Sequence, residues 1–259
     1  MTVVPKRELG QHFLVDENIL GVIGRLAELA AEDVVLEVGP GLGVLTGYLA
    51  ARVARVHAVE LDASLAAQLT DLPANVELEV GDALRVDLGR LGPTKLVANL
   101  PYNIATPLIV ESLDGLPTVA VWCVMVQREV ADRLFGEPST KAYGAVSVLV
   151  RLATERTGFH PVSRNVFRPR PNVESALVAF RRRDASNSLL QADDWARVKR
   201  VVEAAFAHRR KTLPNSLALA GAADRAAAAE ALRTIGRPPE ARAEQLAPPE
   251  FVALADALR

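Results

Sequence analysis

The chain has 259 residues, long enough for one large domain and a smaller one, each with its own core. Its single cysteine, Cys123, excludes an internal disulfide; no run of about 18 apolar residues marks a membrane span, and the N-terminus lacks an apolar signal segment, so a soluble cytoplasmic protein is expected. The net charge of −1 argues against a uniformly basic nucleic-acid binder, but residues 151–183 hold eight arginines against two glutamates, and His208-Arg209-Arg210-Lys211 forms a second basic cluster.

In chain order, Asp16 is placed to cap a helix over residues 19–29, whose apolar residues recur at helical spacing. Residues 34–38 read as a buried parallel strand running into Gly39, Gly41 and Gly43 and then a helix from Val44. Glycines on these positions allow positive φ and close approach of a ligand to the backbone. The spacing is not that of a dinucleotide-phosphate fingerprint, because Val44 stands where its last glycine belongs, and no Lys-Ser/Thr pair follows to make a P-loop. Glu37, just before the turn, further disfavours a pyrophosphate. S-adenosylmethionine, with its positive sulfonium, is the alternative ligand of such a sheet.

Residues 55–59 read as the next strand, with Glu60 at its end placed to accept both ribose hydroxyls. Residues 76–80 form another, followed by Asp82, which can accept from the adenine amine. Residues 95–98 deliver Asn99-Leu100-Pro101-Tyr102. The Asn99 side-chain oxygen and the Leu100 carbonyl suit an exocyclic amine; Pro101 restrains the backbone, and Tyr102 offers a stacking surface worth roughly 1–3 kcal/mol per base. Alone, each acidic strand end also reads as an ordinary loop carboxylate, and Asn-Leu-Pro-Tyr as a proline turn over a buried tyrosine. Their occurrence at the carboxyl ends of four successive strands favours a ligand site.

A fifth strand is expected over residues 119–126, helices over 128–135 and 145–153, and strands over 156–162 and 176–180 closing the sheet as an antiparallel hairpin. Residues 19–183 thus form an α/β domain, 184–192 a polar linker, and 193–259, rich in alanine and leucine at helical spacing, a small helical domain. No His/Cys/Asp set has metal-ligand spacing and no serine nucleophile elbow is present, so no metal is expected.

The chain resembles the ribosomal RNA adenine-N6 dimethyltransferases, and more closely the small-subunit type. The resemblance is carried by Leu9-Gly10-Gln11-His12-Phe13-Leu14, the Gly39 turn, Asn99-Leu100-Pro101-Tyr102-Asn103-Ile104, Val126-Gln127-Arg128-Glu129-Val130-Ala131, Tyr143-Gly144, Phe167-Arg168-Pro169-Arg170-Pro171-Asn172-Val173-Glu174-Ser175 and Arg209-Arg210-Lys211-Thr212-Leu213. The late segment Arg242-Ala243-Glu244-Gln245-Leu246, with Phe251, is similar to the small-subunit type rather than to the macrolide-resistance enzymes of 23S rRNA.

This resemblance implies a Rossmann-like S-adenosylmethionine-dependent methyltransferase sheet with a small C-terminal all-helical domain. Residues 1–18 would be an arm over the cofactor, with His12 and Leu14 contacting it beside Gly39, Gly41, Glu60, Asp82 and Asn99. Asn99, Leu100 and Tyr102 would form the catalytic set, with Phe167 stacking on the other face of the base. The implied reaction is N6,N6-dimethylation of two adjacent adenosines near the 3′ end of 16S rRNA, four methyl groups in all, by a monomer acting on the 30S particle during ribosome biogenesis. His12 and Ala105 depart from residues often found in the family, an Asn and a hydroxyl residue. Methylation of 23S rRNA and a 30S-binding assembly factor remain the rival readings; DNA adenine methylation leaves the C-terminal segments unexplained.

Overall fold

The computed structural model describes residues 11–184, 186, 188–190 and 194–259. Residues 1–10 of the expected arm and 185, 187, 191 and 192 of the expected linker lie outside the described residues. In chain order, β1 (Phe13–Leu14) and α1 (Glu17–Leu26) lead into β2 (Val34–Val38), α2 (Val44–Ala50), β3 (Arg55–Glu60), α3 (Ala63–Ala66) and β4 (Val76–Val80). There follow β5 (Lys95–Asn99), α4 (Ala105–Gly115), β6 (Val121–Gln127), α5 (Arg128–Leu134), α6 (Ala145–Ala153), β7 (Thr154–Val162), β8 (Phe167–Arg168) and β9 (Ser175–Arg182). The remainder is helical: α7 (Trp195–Ala207), α8 (Leu213–Leu219), α9 (Arg225–Thr234) and α10 (Pro248–Ala257).

The chain divides into two compact units, Met1–Ala131 with Arg156–Arg182, and Asp132–Glu155 with Arg183–Arg259. This differs from the division expected from sequence, which kept 132–155 with the sheet. In the structure that segment bonds to the C-terminal helical region. Tyr143 Oη donates to the Leu246 carbonyl at 2.7 Å, the Ser139 N–H donates to the Glu244 carbonyl at 2.7 Å, and the Tyr143 ring meets Phe206 edge-on at 5.9 Å. Phe206 in turn packs on Phe251 of α10 at 5.8 Å.

In the first unit the seven-stranded sheet has the order β4-β3-β2-β5-β6-β9-β7. Strands β2 to β6 pair in parallel, and β9 runs antiparallel to β6. Buried on both faces, β2 and β6 read as almost unbroken apolar runs, as parallel strands do. Crossing from β2 to β5 reverses the direction in which strands are added. The carboxyl end of β2 is therefore the switch point at which open α/β sheets form a ligand crevice. One side of the sheet is closed by Ile19, Leu20 and Ile23 of α1 and Leu45 and Leu49 of α2, in one cluster with Val35, Cys123, Met125 and Leu177. Each such large side chain contributes about 1.5–3 kcal/mol on burial. Cys123 belongs to this packing, and desolvation pushes its thiol up to about 12.

Helix α1 is capped by Asp16, which accepts the Asn18 N–H, but it stops at Leu26 rather than residue 29. Glu28 takes a left-handed φ of 49°, and buried Lys95 reaches both the Glu28 carbonyl and the Asp33 carboxylate, the latter at 2.8 Å. These contacts from β5 turn the chain into β2. The sequence also gave no sign of a second, two-stranded sheet. In it β1 pairs antiparallel with β8, Phe13 opposite Arg168 and Leu14 opposite Phe167.

The arginine-rich stretch is largely consumed within the fold. Arg182 donates to the Val119, Leu113 and Leu116 carbonyls at 2.8, 2.8 and 2.9 Å, while Arg164 and Arg181 pair with Glu174 and Glu28. In the second unit Arg151 pairs with Glu137 and Arg183 with Glu155. Arg168 and Arg170 are exposed and make no ion pair among the described residues.

Candidate active site

A cleft enclosing about 950 Å³, its open mouth included, lies at the carboxyl ends of β2, β3, β4 and β5, with the β1 segment forming another wall. The strand order sets the sequence of its functional groups. Asp82 follows β4, Glu60 ends β3, Glu37 and the glycine turn end β2, and Asn99 ends β5.

The turn requires glycine for two reasons at once. Gly39 has φ of 75°, and a Cβ there would lie 3.0 Å from Pro101 Cγ. Gly41 has φ of 58°, and its Cβ would lie 2.9 Å from Phe13 Cδ1. Left-handed backbone costs an L residue roughly 1–2 kcal/mol, and neither neighbour leaves space. Phe13, on β1, thus packs directly over the turn, a neighbour the sequence reading did not identify.

Glu60 is buried and held by the backbone. Its Oε1 accepts the Asp62 N–H at 2.9 Å and its Oε2 accepts the Gly41 N–H at 3.2 Å. Each carboxylate oxygen keeps a second lone-pair site for an external hydroxyl. Asp62 caps α3 through Ser64 and receives the Gln11 amide at 3.1 Å, which ties the arm to the β3 end. Asp82 accepts the Leu84 N–H at 3.0 Å and faces Arg85 at 3.4 Å, so it shapes its own turn as well as the cleft wall.

Asn99 Nδ2 donates to the His12 carbonyl at 3.0 Å. Because a carbonyl can only accept, this contact fixes which end of the amide is which and leaves Oδ1 as an acceptor. The Leu100 N–H is taken by the Met125 carbonyl at 3.1 Å, and the Pro101 carbonyl accepts the Ile104 N–H at 3.1 Å, so the loop is braced on both sides of Leu100. Tyr102 Oη shares a hydrogen bond of 2.6 Å with Ser175 Oγ. Burial raises the phenol above its ordinary range, opposed by the Ser175 bond and reinforced slightly by Glu174. The His12 ring lies 5.4 Å from that of Tyr102, tilted by 34°, and its Nδ1 is 2.8 Å from the Pro169 carbonyl. Nδ1 must therefore carry a hydrogen, which leaves Nε2 as the acceptor in the neutral ring.

His12, Leu14, Gly39, Gly41, Glu60, Asp82, Asn99, Leu100 and Tyr102 all line this one cleft. Phe167 does not. It is fully buried, opposite Leu14 in the small sheet and within the cluster that includes Ile19 and Leu20. In this arrangement the Phe167 ring presents no face to the cleft and packs β8 against β1, so nothing here bears on the stacking role expected of it. Its neighbour Pro169 reaches the cleft wall, through His12.

Sequence reading used Glu37 only as an argument against pyrophosphate, yet it is the least ordinary group in the site. It is 1% exposed, and its Oε2 has no hydrogen-bond partner among the described residues. Desolvation pushes its carboxyl up to about 8, with Thr46 opposing and Glu60 adding to the rise. The Thr46 hydroxyl is near enough to favour the charged form, but its Oγ1 completes no hydrogen bond either. A charged residue inside Val34-Val35-Leu36-Glu37-Val38 was the available signal, since carboxylates are almost never fully buried unpaired.

Three acidic residues and neither lysine nor arginine line the described cleft. Such a lining repels a polyphosphate and suits a ligand of net positive charge. The glycine cradle, two carboxylates at successive strand ends and Glu37, with its Oε2 unsatisfied among the described residues, are compatible with S-adenosylmethionine. Among the described residues, no group of three His, Cys, Asp or Glu could hold a metal ion, and no helix is long and apolar enough to cross a membrane.

The profile of the family described as ribosomal RNA adenine dimethylase matches residues 4–256. A ribosomal RNA small subunit methyltransferase A from Rubrobacter xylanophilus is 46% identical over 256 residues, spanning 96% of this chain and 94% of its own. Among solved structures, a dimethyladenosine transferase from Plasmodium falciparum aligns with a TM-score of 0.78 at 23% identity, covering 94% of this chain and 96% of its own. The 23S rRNA methyltransferase ErmE aligns with a TM-score of 0.65 at 29% identity, covering 95% and 99%.

Proposed function

This chain belongs to the ribosomal RNA adenine dimethylase family, and on that premise we propose that its cleft binds S-adenosylmethionine and dimethylates N6 of two adjacent adenosines near the 3′ end of 16S rRNA. The observation that carries the reading is the juxtaposition, in one cleft whose described lining holds neither lysine nor arginine, of an acid-lined cradle and the braced Asn99-Leu100-Pro101-Tyr102 loop. The small-subunit assignment is supported by the named relative with 46% identity over nearly the whole chain.

S-adenosylmethionine, when bound, supplies a sulfonium-activated methyl group. The protein's task is then to prepare the amine. The adenine N6 lone pair is delocalised into the ring and is a poor nucleophile. Asn99 Oδ1 and the Leu100 carbonyl accept the two N6 hydrogens and favour the pyramidal nitrogen of the transition state. That is stabilisation specific to the transition state, and it adds to the effect of orientation. Tyr102, held through Ser175, stacks on the base. No general base is assigned, because N6–H becomes acidic as nitrogen is alkylated. A base paired in RNA has to leave its stack to enter. Exposed Arg168 and Arg170 flank Pro169, whose carbonyl contacts His12 in the cleft wall, and they meet the RNA phosphates there.

Incubating the protein with labelled S-adenosylmethionine and undermethylated 30S particles, then mapping the label by nuclease digestion and mass spectrometry, tests this reading. Two adjacent N6,N6-dimethyladenosines near the 3′ end of 16S rRNA are expected. Label appearing only in protein-free 23S rRNA would overturn the small-subunit assignment in favour of the chemistry of the structural relative ErmE. A catalytically dead variant that still binds immature 30S particles would add an assembly role to the catalytic one.

A further inference from the structure

Glu37 is assigned no part in preparing the amine, yet it lines the cleft. In strand order it stands between Glu60, placed for the ribose, and Asn99, placed for the amine. The part of S-adenosylmethionine between its ribose and its transferable methyl is the sulfonium. Glu37 is 1% exposed, lines the cleft and leaves Oε2 without a partner among the described residues. A buried carboxylate without a partner is too costly to keep charged, so it holds a proton until a counter-charge arrives.

We infer that Glu37 is a proton-coupled counter-ion for the cofactor: it is neutral in the ligand-free cleft, releases its proton when the sulfonium enters, and regains one when the charge is lost. This rests on S-adenosylmethionine being the ligand. The groups facing Glu37 set the sign. Glu60 on β3 disfavours a second negative charge, α2 offers the Thr46 hydroxyl, β5 offers neutral Asn99, and no lysine or arginine lines the described cleft. His12 on β1 and Asp82 after β4 are the remaining titratable groups of the wall. Burial moves the Glu37 carboxyl to about 8, within reach of neutral pH.

The charge balance closes over one turnover. The S–CH₃ bond breaks with its electrons staying on sulfur, the N–CH₃ bond forms from the N6 lone pair, and N6 gives up one proton. The cleft loses one positive charge on sulfur, and uptake of one proton by Glu37 offsets it. The product S-adenosylhomocysteine therefore faces a neutral carboxylic acid rather than a carboxylate. Its hold is weakened relative to the methyl donor, as repeated cofactor exchange requires.

Calorimetry of the full-length protein tests this without turnover. Binding of S-adenosylmethionine and of S-adenosylhomocysteine is measured from pH 6 to 8 in two buffers of different ionisation heat. The sulfonium lowers the proton affinity of the donor's α-amino group relative to the product's, so each free ligand is titrated separately over the same range and its amine contribution subtracted. At pH 7 the methyl donor should release close to one proton more than the product. The ratio of their affinities should rise by up to about tenfold per pH unit below pH 8. Glu37→Gln, which keeps the shape without a titrating group, should abolish both differences. Equal proton release by the two ligands in the unmodified protein would overturn the inference while leaving the cofactor assignment standing. Absence of binding by either ligand at every pH would overturn the cofactor assignment and this inference with it. The measurement on the unmodified protein decides the matter even where Glu37→Gln folds poorly.

Discussion

Gly39→Ala perturbs the point where the cradle and the amine-binding loop touch. At φ of 75° an alanine costs roughly 1–2 kcal/mol. Its Cβ would also stand 3.0 and 3.1 Å from Pro101 Cγ and Cδ, closer than packed carbons sit, and such overpacking costs typically about 1–3 kcal/mol. Taking the low end of each range, the folded state should lose about 2 kcal/mol, a fall in Tm of roughly 4–8 °C. The strain is relieved only if Pro101 moves, and Pro101 carries the Leu100 carbonyl and Tyr102 with it. Turnover should therefore fall about tenfold or more at temperatures where the variant is still folded. Gly47→Ala is the matched control. It lies in α2, a few residues on, with nothing within 4 Å of its Cβ, and should gain about 0.5–1 kcal/mol. Thermal denaturation of both variants, with initial rates on 30S particles, reads the outcome. A Gly39→Ala protein as stable and as active as the parent would refute the claimed contact with Pro101.

Asn99→Ala should lower turnover by about 10²–10³, far more than it weakens cofactor binding; Glu60→Ala should do the reverse, and equilibrium binding beside single-turnover rates separates the two. Replacing Arg168 and Arg170 together by alanine should weaken 30S binding and reduce the slope of log affinity against log salt by about 1–2; an unchanged slope places the phosphate contacts elsewhere. Glu37 also predicts a stability trend in the ligand-free protein. Its folded value is raised from 4.5 to about 8, so its contribution is complete below pH 4.5 and is lost as pH rises through 8, at up to about 1.4 kcal/mol per unit. Denaturation midpoints should fall relative to those of Glu37→Gln as pH rises over that window, and a constant difference between the two proteins would contradict the raised value.

Much of the site was legible in the sequence because its logic is local. A strand, a glycine turn and a helix are consecutive in residues 34–50, and the side chain at a strand's end is positioned by that strand alone. Glu60, Asp82 and Asn99 could thus be placed at one edge of a parallel sheet from chain order and strand periodicity. The Asn99-Leu100-Pro101-Tyr102 loop likewise carries its own restraint in Pro101.

What depended on residues far apart in the chain had to wait for tertiary structure. The pairing of β1 with β8 joins residues separated by about 150 positions, and it buries Phe167 opposite Leu14, a packing that no local pattern shows. Residues 132–155 belong with the C-terminal helices because Tyr143 finds Leu246 and Phe206, which no local pattern announces. The arginine count of 151–183 was read correctly, but counting cannot tell an arginine that faces solvent from Arg182, whose guanidinium binds three carbonyls. Sequence specified which residues lie at the strand ends, because backbone geometry does that locally. Only the packed fold decided which ionisable groups are paired and which, like Glu37 with its Oε2 unsatisfied among the described residues, are buried away from a counter-charge, because pairing and desolvation are set by neighbours distant in sequence.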